Sequence, residues 1–527
     1  MFQLASYMYS MMLTNEEITC FDWSRGLSGT GEFSYDNSIF NTAYQVGSLA
    51  ESWEFTDPNT ITLHVRKGVR YGLNPQSEAS RLVNGREFVA EDMAFSISRA
   101  WKMPLSWLGQ NYPGWLKSAT ATDKYTVVVK GDDNLFRTAL VWERLSDYLY
   151  MVPPEIVNKY KDMSDWKNSV GTGPYFLTDY VADSSFTFTR NPTHWRTDPA
   201  GPGKGNQIPY IDTVKYLVMK DISTRTAAMR VGKVDALNGY GEIGVENSEA
   251  LMKEKPAILW KRILLGSGSV IMMRSDLKPF NDIRVRQALF LAIDNPSIVK
   301  DYFGGNAEIL PFPVTPLPEF KDAYTPLDQL PAATRELYEY HPDKAKQLLA
   351  EAGYPNGFKT DMPVDSGVDE EVDLSQVYKA MWAKVGIDVE LKLMPTTAYN
   401  SIAVSHSYTG LIFGSRGFNT PYQASEYVPG HVYNRSIIDD PYLNERIPQL
   451  YSFENIGTGK PAAILKEMTQ YALSKAWFQG VPLSYAYHLW WPWLKNHHGE
   501  YTTGFHGKWD WVKYAWIDQD LKKSMGY

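Results

Sequence analysis

The sequence is nearly devoid of cysteine, since Cys20 is the only one, and this excludes an intramolecular disulfide and any CxxC metal site. No run of lysine and arginine is present, and the net charge of −8 argues against a nucleic-acid partner. No apolar run reaches the roughly 18 residues that a membrane span requires. The remaining composition, 44% hydrophobic and 21% charged, is that of an ordinary globular protein.

Catalytic and metal-binding motifs are also missing. Gly266-Ser-Gly-Ser269 lacks the G-x-S-x-G spacing of a nucleophile elbow. The glycine-rich stretches 26–31 and 201–205 do not join a strand to a helix, as dinucleotide binding requires. The remaining metal candidates are three histidines that we expect to be exposed loop residues: His497, His498 and His506. We therefore predict no cofactor, no metal and no enzymatic activity.

Aromatic residues are abundant, with 17 Trp and 34 Tyr in 527 residues. They indicate either a large core or a cleft that stacks a ligand. Seven of the tryptophans follow residue 476, which suggests a special surface near the C-terminus. A chain of this length is too long for one core, so two or three domains are expected.

The most informative segment is 278–294, which predicts a well-capped helix. Asp282 is a natural N-cap. One apolar face is predicted from the helical spacing of Val285, Ala288, Leu289, Ala292 and Ile293. The opposite face carries Arg284, Arg286 and Gln287, and we expect the two arginines to anchor the helix by salt bridges. Asn295-Pro296 is predicted to cap a second helix that ends at Gly304-Gly305.

Strand and helix patterns alternate along the rest of the chain. Alternating polarity predicts strands over 61–66, 125–130, 186–190 and 387–393. Helical periodicity predicts helices over 91–101, 223–231, 342–353 and 374–384. This mixture is typical of an α/β or α+β protein.

These blocks, in this order, closely resemble the family 5 extracytoplasmic solute-binding proteins, the oligopeptide and dipeptide receptors of ABC importers. The segment 278–294 resembles the central signature of that family. Five further segments resemble other family blocks, over about residues 45–395: the Leu49–Glu54 hairpin, the acidic pair after Asn84, the Gly171–Tyr175 turn with Arg190-Asn-Pro and Trp195, the G-x-V-D unit ending at Asp235, and the helix of 341–358.

The resemblance implies a bilobal periplasmic-binding-protein-like α/β fold with two hinge crossings and an extra inserted subdomain. It places lobe I at 1–45, 165–265 and 485–527, the inserted subdomain at 46–164, and lobe II at 266–484. The hinge is expected near Leu264 to Met272 and near Val481 to Tyr487.

The N-terminus departs from the family pattern. Phe2 to Leu13 resembles the helix that follows the first strand of lobe I, and neither a signal peptide nor a lipobox before Cys20 is recognised. The sequence is therefore expected to be trimmed or to begin at a late start. The resemblance alone implies an extracytoplasmic location, in the periplasm or anchored at the outer face of the membrane.

In peptide-binding relatives an Asp in lobe II holds the ligand's ammonium group, and the corresponding segment here is 414–422. Asn419 stands in place of that Asp, and Arg416, Phe418 and Tyr422 accompany it as candidate ligand contacts. A neutral amide gives up a charge-assisted bond worth about 1.5–3 kcal/mol. Glu426 would supply the charge if the alignment is shifted.

Further candidates for the ligand-binding wall are aromatic. Tyr240 lies between glycines, and Tyr485, Tyr487, Trp490 and Trp491 lie near the second crossing. If the last segment is extended, one indole of the adjacent pair points inward and the other outward, so at most one contacts ligand.

The preferred interpretation is a monomeric receptor that captures peptides between two closing lobes and delivers them to an ABC transporter permease. The alternative within this class is another small solute such as an oligosaccharide, because sugar rings stack on tryptophan. A hydrolase on the same scaffold is the remaining alternative, with no motif to support it.

Overall fold

The computed structural model describes residues 11, 13–37, 42–103, 106–133, 138–161, 164–238, 242–266, 268–416, 424–504, 507 and 509–527. The chain divides into two compact units. Unit 1 comprises Met1–Ile263 and Ala486–Tyr527, and unit 2 comprises Leu264–Tyr485. The chain thus passes between the units twice, and the finer assignment of lobes and of an inserted subdomain stays a prediction.

Unit 1 contains several small antiparallel sheets. Its strands before the first crossing are β1 Thr19–Phe21, β2 Gln45–Gly47, β3 Ala50–Asp57, β4 Thr60–Val65, β5 Leu116–Asp123, β6 Thr126–Gly131, β7 Tyr175–Val181, β8 Ser185–Arg190, β9 Thr213–Leu217, β10 Ala236–Leu237 and β11 Leu259–Leu264, whose last residue belongs to unit 2. Strands β3, β4, β6 and β5 form one sheet in that order, and β7, β8 and β9 form another. The predicted hairpin is therefore confirmed, with Trp53 opposite Leu63.

The strands of unit 2 are β12 Gly268–Met273, β13 Ala307–Glu308, β14 Phe358–Asp365, β15 Ile387–Met394, β16 Leu411–Arg416 and β17 Phe478–Gly480. Strand β12 lies between β16 and β17 in an antiparallel sheet, whereas β14 and β15 are parallel. Strand β18, Leu483–Trp490, carries the chain back to unit 1, where β19 Leu494–Lys495 and β20 Trp516–Ile517 follow.

Helices occur in both units. Those of unit 1 are α1 Glu78–Val83, α2 Ala90–Lys102, α3 Trp107–Asn111, α4 Thr138–Ser146, α5 Pro154–Tyr160, α6 Ile222–Arg230, α7 Gly244–Glu254 and, at the C-terminus, α16 Gln519–Ser524. Those of unit 2 are α8 Ile283–Leu291, α9 Asn295–Ser297, α10 Ala332–Arg335, α11 Pro342–Glu351, α12 Asp369–Ala383, α13 Thr396–Ser405, α14 Pro441–Leu450 and α15 Lys460–Ser474. In the part of the chain that is described, no helix has the length and apolar composition needed to cross a bilayer.

Helix α8 is the helix predicted from 278–294. The side chain of Asp282 accepts the backbone N–H of Arg284 at its start. The predicted apolar face is confirmed, because all five of its residues are fully buried in the core of unit 2. The next cap is Asp294 rather than Asn295, since the Asp294 carboxylate accepts the N–H and hydroxyl of Ser297.

The two arginines of α8 have different environments. Arg284 forms the predicted salt bridge, at 2.6 Å from Asp282. Arg286, predicted to lie on the opposite face, is only 5% exposed. It donates to the carbonyls of Phe280 (2.6 Å) and Lys475 (3.0 Å), and burial lowers its pKa to about 10. The prediction of a salt bridge for Arg286 was wrong, because the opposite face of α8 is also covered by protein.

Candidate functional site

The carboxyl edge of the parallel pair β14 and β15 is the first candidate surface, within unit 2. The two strands are in register from Phe358 opposite Ile387 to Asp365 opposite Met394. Helix α12 follows β14 after a three-residue turn, and α13 follows β15 after Pro395. Ligands of open α/β sheets bind outside the carboxyl ends of the strands, where such turns supply polar groups.

A buried carboxylate holds these two turns together. Asp365 Oδ1 accepts the backbone N–H of Gly367 at 2.9 Å and the hydroxyl of Thr396 at 2.8 Å. Ser366 donates to the Met394 carbonyl from both its N–H (2.8 Å) and its hydroxyl (2.9 Å). The residues that follow, 366–370, are exposed. The turns at this edge are therefore held by hydrogen bonds of Asp365 and Ser366, and their polar groups face solvent.

Behind this edge lies a group of buried charged side chains. Glu371, in the first turn of α12, is 1% exposed, and burial together with the nearby Asp365 raises its pKa to about 8. Arg435 opposes that shift. Arg435 Nη1 donates to the hydroxyl oxygen of Tyr399 at 3.2 Å, and this hydroxyl donates to the Phe413 carbonyl at 2.6 Å. Glu371 is therefore largely protonated at neutral pH, and its Oε2 has no hydrogen-bond partner among the described residues.

The segment predicted to hold the ligand's ammonium begins in β16. Arg416, its last strand residue, is aligned with Gly268 of β12, and only its backbone is described. Gly414 packs so closely that an added Cβ would lie 2.0 Å from the Tyr399 hydroxyl. Four predicted contacts lie outside the described residues: Tyr240, Phe418, Asn419 and Tyr422.

Glu426, the alternative source of negative charge, is completely buried in unit 2. Its Oε2 accepts the hydroxyl of Ser425 at 3.0 Å, and it neighbours the buried Tyr427. A carboxylate in this position contributes to the interior rather than to an open surface.

Tyr485 and Tyr487, on the crossing strand β18, are placed in different units. The Tyr485 hydroxyl donates to Glu308 Oε1 at 2.5 Å within unit 2. The Tyr487 hydroxyl donates to Glu249 Oε1 at 3.1 Å within unit 1, and its ring meets the edge of Trp260 at 5.7 Å between centroids. Trp260 is 54% exposed. The sequence did not single out Trp260, because one exposed tryptophan in a strand has no local signature.

Trp490 is the last residue of β18 and Trp491 follows it; the two belong to different cores of unit 1, and neither is open to solvent. Trp490 is 6% exposed and packs with Trp511, whereas Trp491 is 1% exposed and stacks on Trp493 at 4.6 Å. Both faces of this segment are covered by cores of unit 1. Their interpretation as ligand contacts is therefore corrected to core residues.

The C-terminal histidines were predicted to be exposed, and His497 is not. Its side chain is fully buried in unit 1, where Nε2 accepts from Asn238 at 2.7 Å and Nδ1 faces Glu500 at 3.1 Å. Burial lowers the pKa of His497, which agrees with a neutral ring whose proton is on Nδ1. His498 is 43% exposed and also bonds Glu500, and His506 lies outside the described residues. Among the described residues, no set of three or more side chains is placed to hold a metal ion.

Comparison with known proteins identifies the family. Residues 45–434 match the family described as bacterial extracellular solute-binding proteins, family 5 Middle. The chain belongs to this family. The central signature at 278–294 lies within the matched range, which confirms the resemblance stated from the sequence.

Relatives and solved structures agree with this assignment. The family 5 protein is 26% identical to heme-binding protein A of Haemophilus influenzae, over 75% of this chain and 71% of that one. It is 25% identical to the dipeptide-binding protein of Escherichia coli, over 72% and 69% of the two chains. The fold is similar to that of the periplasmic binding protein DppA of Helicobacter pylori in complex with the peptide STSA, with a TM-score of 0.70, 20% identity and coverage of 97% and 94%.

These comparisons confirm the α/β bilobal fold class and the role of a substrate-binding receptor of an ABC importer. Members of family 5 are extracytoplasmic, and the curated relatives are binding proteins rather than enzymes. Three side chains at the candidate surfaces were missed by sequence reasoning: Glu308, Glu371 and Arg435. Each is an isolated charged residue in its own segment, and only the folded chain brings Glu371 near Arg435 and Glu308 to Tyr485.

Proposed function

We propose that this family 5 protein captures peptides, with the carboxyl edge of β14 and β15 as the part of unit 2 that contacts them. A peptide of arbitrary sequence is held through its backbone and its charged ends. The exposed turn at 366–370 provides backbone groups, and Asp369 adds negative charge for an ammonium group. Glu370 adds a second carboxyl, whose pKa is raised by partial desolvation. The first turn of α13 has no acidic residue, so the positive end of the helix dipole is free to attract the ligand's carboxylate.

This arrangement compensates for Asn419, which lacks the charge of the Asp in peptide-binding relatives. The amino group of the ligand would be neutralised by Asp369 and Glu370, on the turn after β14. The similar structure of DppA from H. pylori is a complex with the peptide STSA, which supports the same class of solute.

The oligosaccharide alternative depends on exposed tryptophans, and the burial of most of the C-terminal tryptophans makes it the less favoured one. Five of the seven are buried in the described structure: Trp477, Trp490, Trp491, Trp493 and Trp511. A buried indole cannot stack on a sugar ring, so the aromatic richness of this region serves packing. Peptides are therefore the preferred solute.

Thermal shift with defined ligand pools tests this proposal. A pool of tripeptides to pentapeptides at a hundredfold excess should raise the melting temperature, by mass action on the folded state, whereas cello- and manno-oligosaccharides should not. A shift with sugars and none with peptides would refute the peptide assignment.

Variants then locate the binding surface. Asp369→Asn combined with Glu370→Gln should weaken peptide binding about tenfold, because the ammonium group loses its counter-ions. Glu390→Gln, an exposed carboxyl in the middle of β15, is the matched control and should leave the dissociation constant unchanged. Equal affinities for all three proteins would remove the carboxyl edge from the site.

The proposal includes two further properties. The ligand is released intact to a membrane permease, so mass spectrometry after long incubation should recover unchanged peptide. The protein acts as a monomer outside the cytoplasm, which light scattering of the purified protein with and without peptide would check. Cleaved peptide fragments would instead indicate a hydrolase.

A further inference from the structure

Unit 2 contains a cavity of about 670 Å³ beside β13 and β18. This volume lies within the range of about 300–1,000 Å³ that is usual for small-ligand pockets. The cavity is separate from the carboxyl edge of β14 and β15, since none of its lining residues belongs to those strands or to α12 and α13. Its walls are largely apolar, with Val299, Ile309, Leu310 and Leu327 among them.

Glu308, the last residue of β13, is one of the charged residues that line the cavity. Ala307 and Glu308 pair with Ser484 and Leu483 of β18, and the Asn306 carbonyl accepts the N–H of Tyr485 at 3.0 Å. Glu308 Oε1 accepts the Tyr485 hydroxyl, as described above. In the described part of the chain Glu308 forms no ion pair with a lysine, arginine or histidine. Its negative charge is therefore fixed in place and lacks a counter-ion.

Two more tyrosines line the same cavity. Tyr338 is 3% exposed, and its hydroxyl has no hydrogen-bond partner among the described residues. Tyr324 donates to the Leu310 carbonyl at 3.4 Å, and burial together with the nearby Glu308 raises its pKa to about 12. A buried hydroxyl without a partner costs free energy unless a ligand or solvent satisfies it.

The other charged residues that line the cavity leave its net charge negative. Arg335 is exposed and donates to the backbone carbonyl of Asp328 at 3.4 Å. Glu339 is exposed and pairs with His341 at 3.0 Å. The lining thus carries three carboxyl groups, from Glu308, Asp328 and Glu339, and one guanidinium, so its electrostatic field favours a cation.

We propose that this cavity binds a primary ammonium group carried on an apolar body of about the size of one aromatic ring. The ammonium donates to the Glu308 carboxylate, and tyrosine faces add cation–π attraction. The apolar walls receive the body of the ligand. Such a group is found on a free organic amine and on the first residue of a peptide, and both sources share this chemistry.

Calorimetry on the full chain measures the affinities of 2-phenylethylamine, 2-phenylethanol and phenylacetate. These ligands have nearly the same shape and differ in charge, so the comparison tests the role of the ammonium group. The amine should bind at least tenfold more tightly than the alcohol, and the carboxylate should bind least. Equal affinity of the amine and the alcohol, or no binding of the amine at millimolar concentration, would overturn the proposal. This comparison uses the unmodified protein, so it does not depend on a variant that folds poorly.

Substitutions test whether the amine binds in this cavity. Glu308→Gln should weaken amine binding about tenfold or more, whereas Tyr338→Phe should change it little, since the phenylalanine keeps the ring that lines the cavity. Glu390→Gln removes a carboxyl of unit 2 outside the cavity and should leave the affinity unchanged. Unchanged affinity for Glu308→Gln, with a normal circular dichroism spectrum, would refute the role of Glu308.

Competition identifies the source of the amine. If the cavity receives the first residue of a peptide, Phe-Gly-Gly displaces 2-phenylethylamine and N-acetyl-Phe-Gly-Gly does not. If the cavity takes a free amine, neither peptide displaces it. The amine measurements decide the inference even when no peptide binds. Displacement by Phe-Gly-Gly would in addition assign the ammonium of a peptide to Glu308 instead of to Asp369 and Glu370.

Discussion

Arg435 and Tyr399 are linked by a hydrogen bond of 3.2 Å from the guanidinium Nη1 to the phenol oxygen, next to the strand that leads to the predicted ligand segment. The same phenol donates to the Phe413 carbonyl of β16. Gly414 follows immediately, and its lack of a side chain leaves room for both groups. Packing at this point therefore depends on one glycine.

Gly414→Ala should destabilise unit 2 by about 1–3 kcal/mol, since the new Cβ would lie 2.0 Å from the Tyr399 hydroxyl and 2.9 Å from Arg435 Nη1. Urea denaturation measures the change. Adding Tyr399→Phe removes the clashing oxygen and should restore part of the stability. Gly459→Ala is the control, because nothing lies within 4 Å of its added Cβ. Equal effects of the two glycine substitutions would contradict the close approach.

Glu371→Gln should stabilise the protein more at pH 8.5 than at pH 5.5. The folded pKa of about 8 lies above the unfolded value of about 4.3, so between these values the folded state holds a proton that the unfolded state has released. Stability is consequently lost as pH rises through this window, and glutamine removes that loss. Melting temperatures at both pH values measure it, with a gain on the order of a few °C. A gain that does not grow with pH would show that Glu371 is already ionised.

Arg286→Met should cost about 1–3 kcal/mol, because it leaves the carbonyls of Phe280 and Lys475 without donors in the core. Arg284→Met is the matched control on the same helix. Its ion pair with Asp282 is exposed, so the loss should stay below about 1 kcal/mol. Chemical denaturation compares the two variants, and a larger loss for Arg284 would contradict the burial of Arg286.

Unit 1 should lose stability as pH falls from about 6.5 to 4. Burial lowers the pKa of His194 and of His488 to about 4, so in this window the unfolded chain binds protons that the folded unit does not. Each such histidine contributes a slope of up to about 1.4 kcal/mol per pH unit. Hydrogen exchange of unit 1 peptides across this range measures the loss. His488→Gln should make the slope shallower, and His341→Gln, at an exposed histidine, should not.

Much of the secondary structure followed from local patterns. The Asp282 cap, the apolar face of α8 and the alternation along β4 and β15 depend on neighbours in sequence, so they were predicted with little error. The prediction of Asn295 as the cap was wrong by one residue. Asp294 and Asn295 are both good N-cap residues, and the backbone conformation, which becomes helical at Asn295, selects Asp294.

The candidate site was less predictable. Glu308 reaches Tyr485 across 177 residues of sequence, and Glu371 lies near Arg435 only because α12 returns to the sheet. Neither pair has a spacing that a local pattern could reveal. The resemblance to family 5 directed attention to 414–422, and four of the predicted contacts lie outside the described residues.

The sequence by itself determined the family, the α/β class and which face of each element is apolar, since these depend on composition and on periods of two or 3.6 residues. Tertiary structure alone decided what covers the opposite face. It buried Arg286, His497, Trp490 and Trp491, whose exposure their own segments do not determine. The physical reason is that periodicity describes one element, whereas burial is a property of the elements that pack against it.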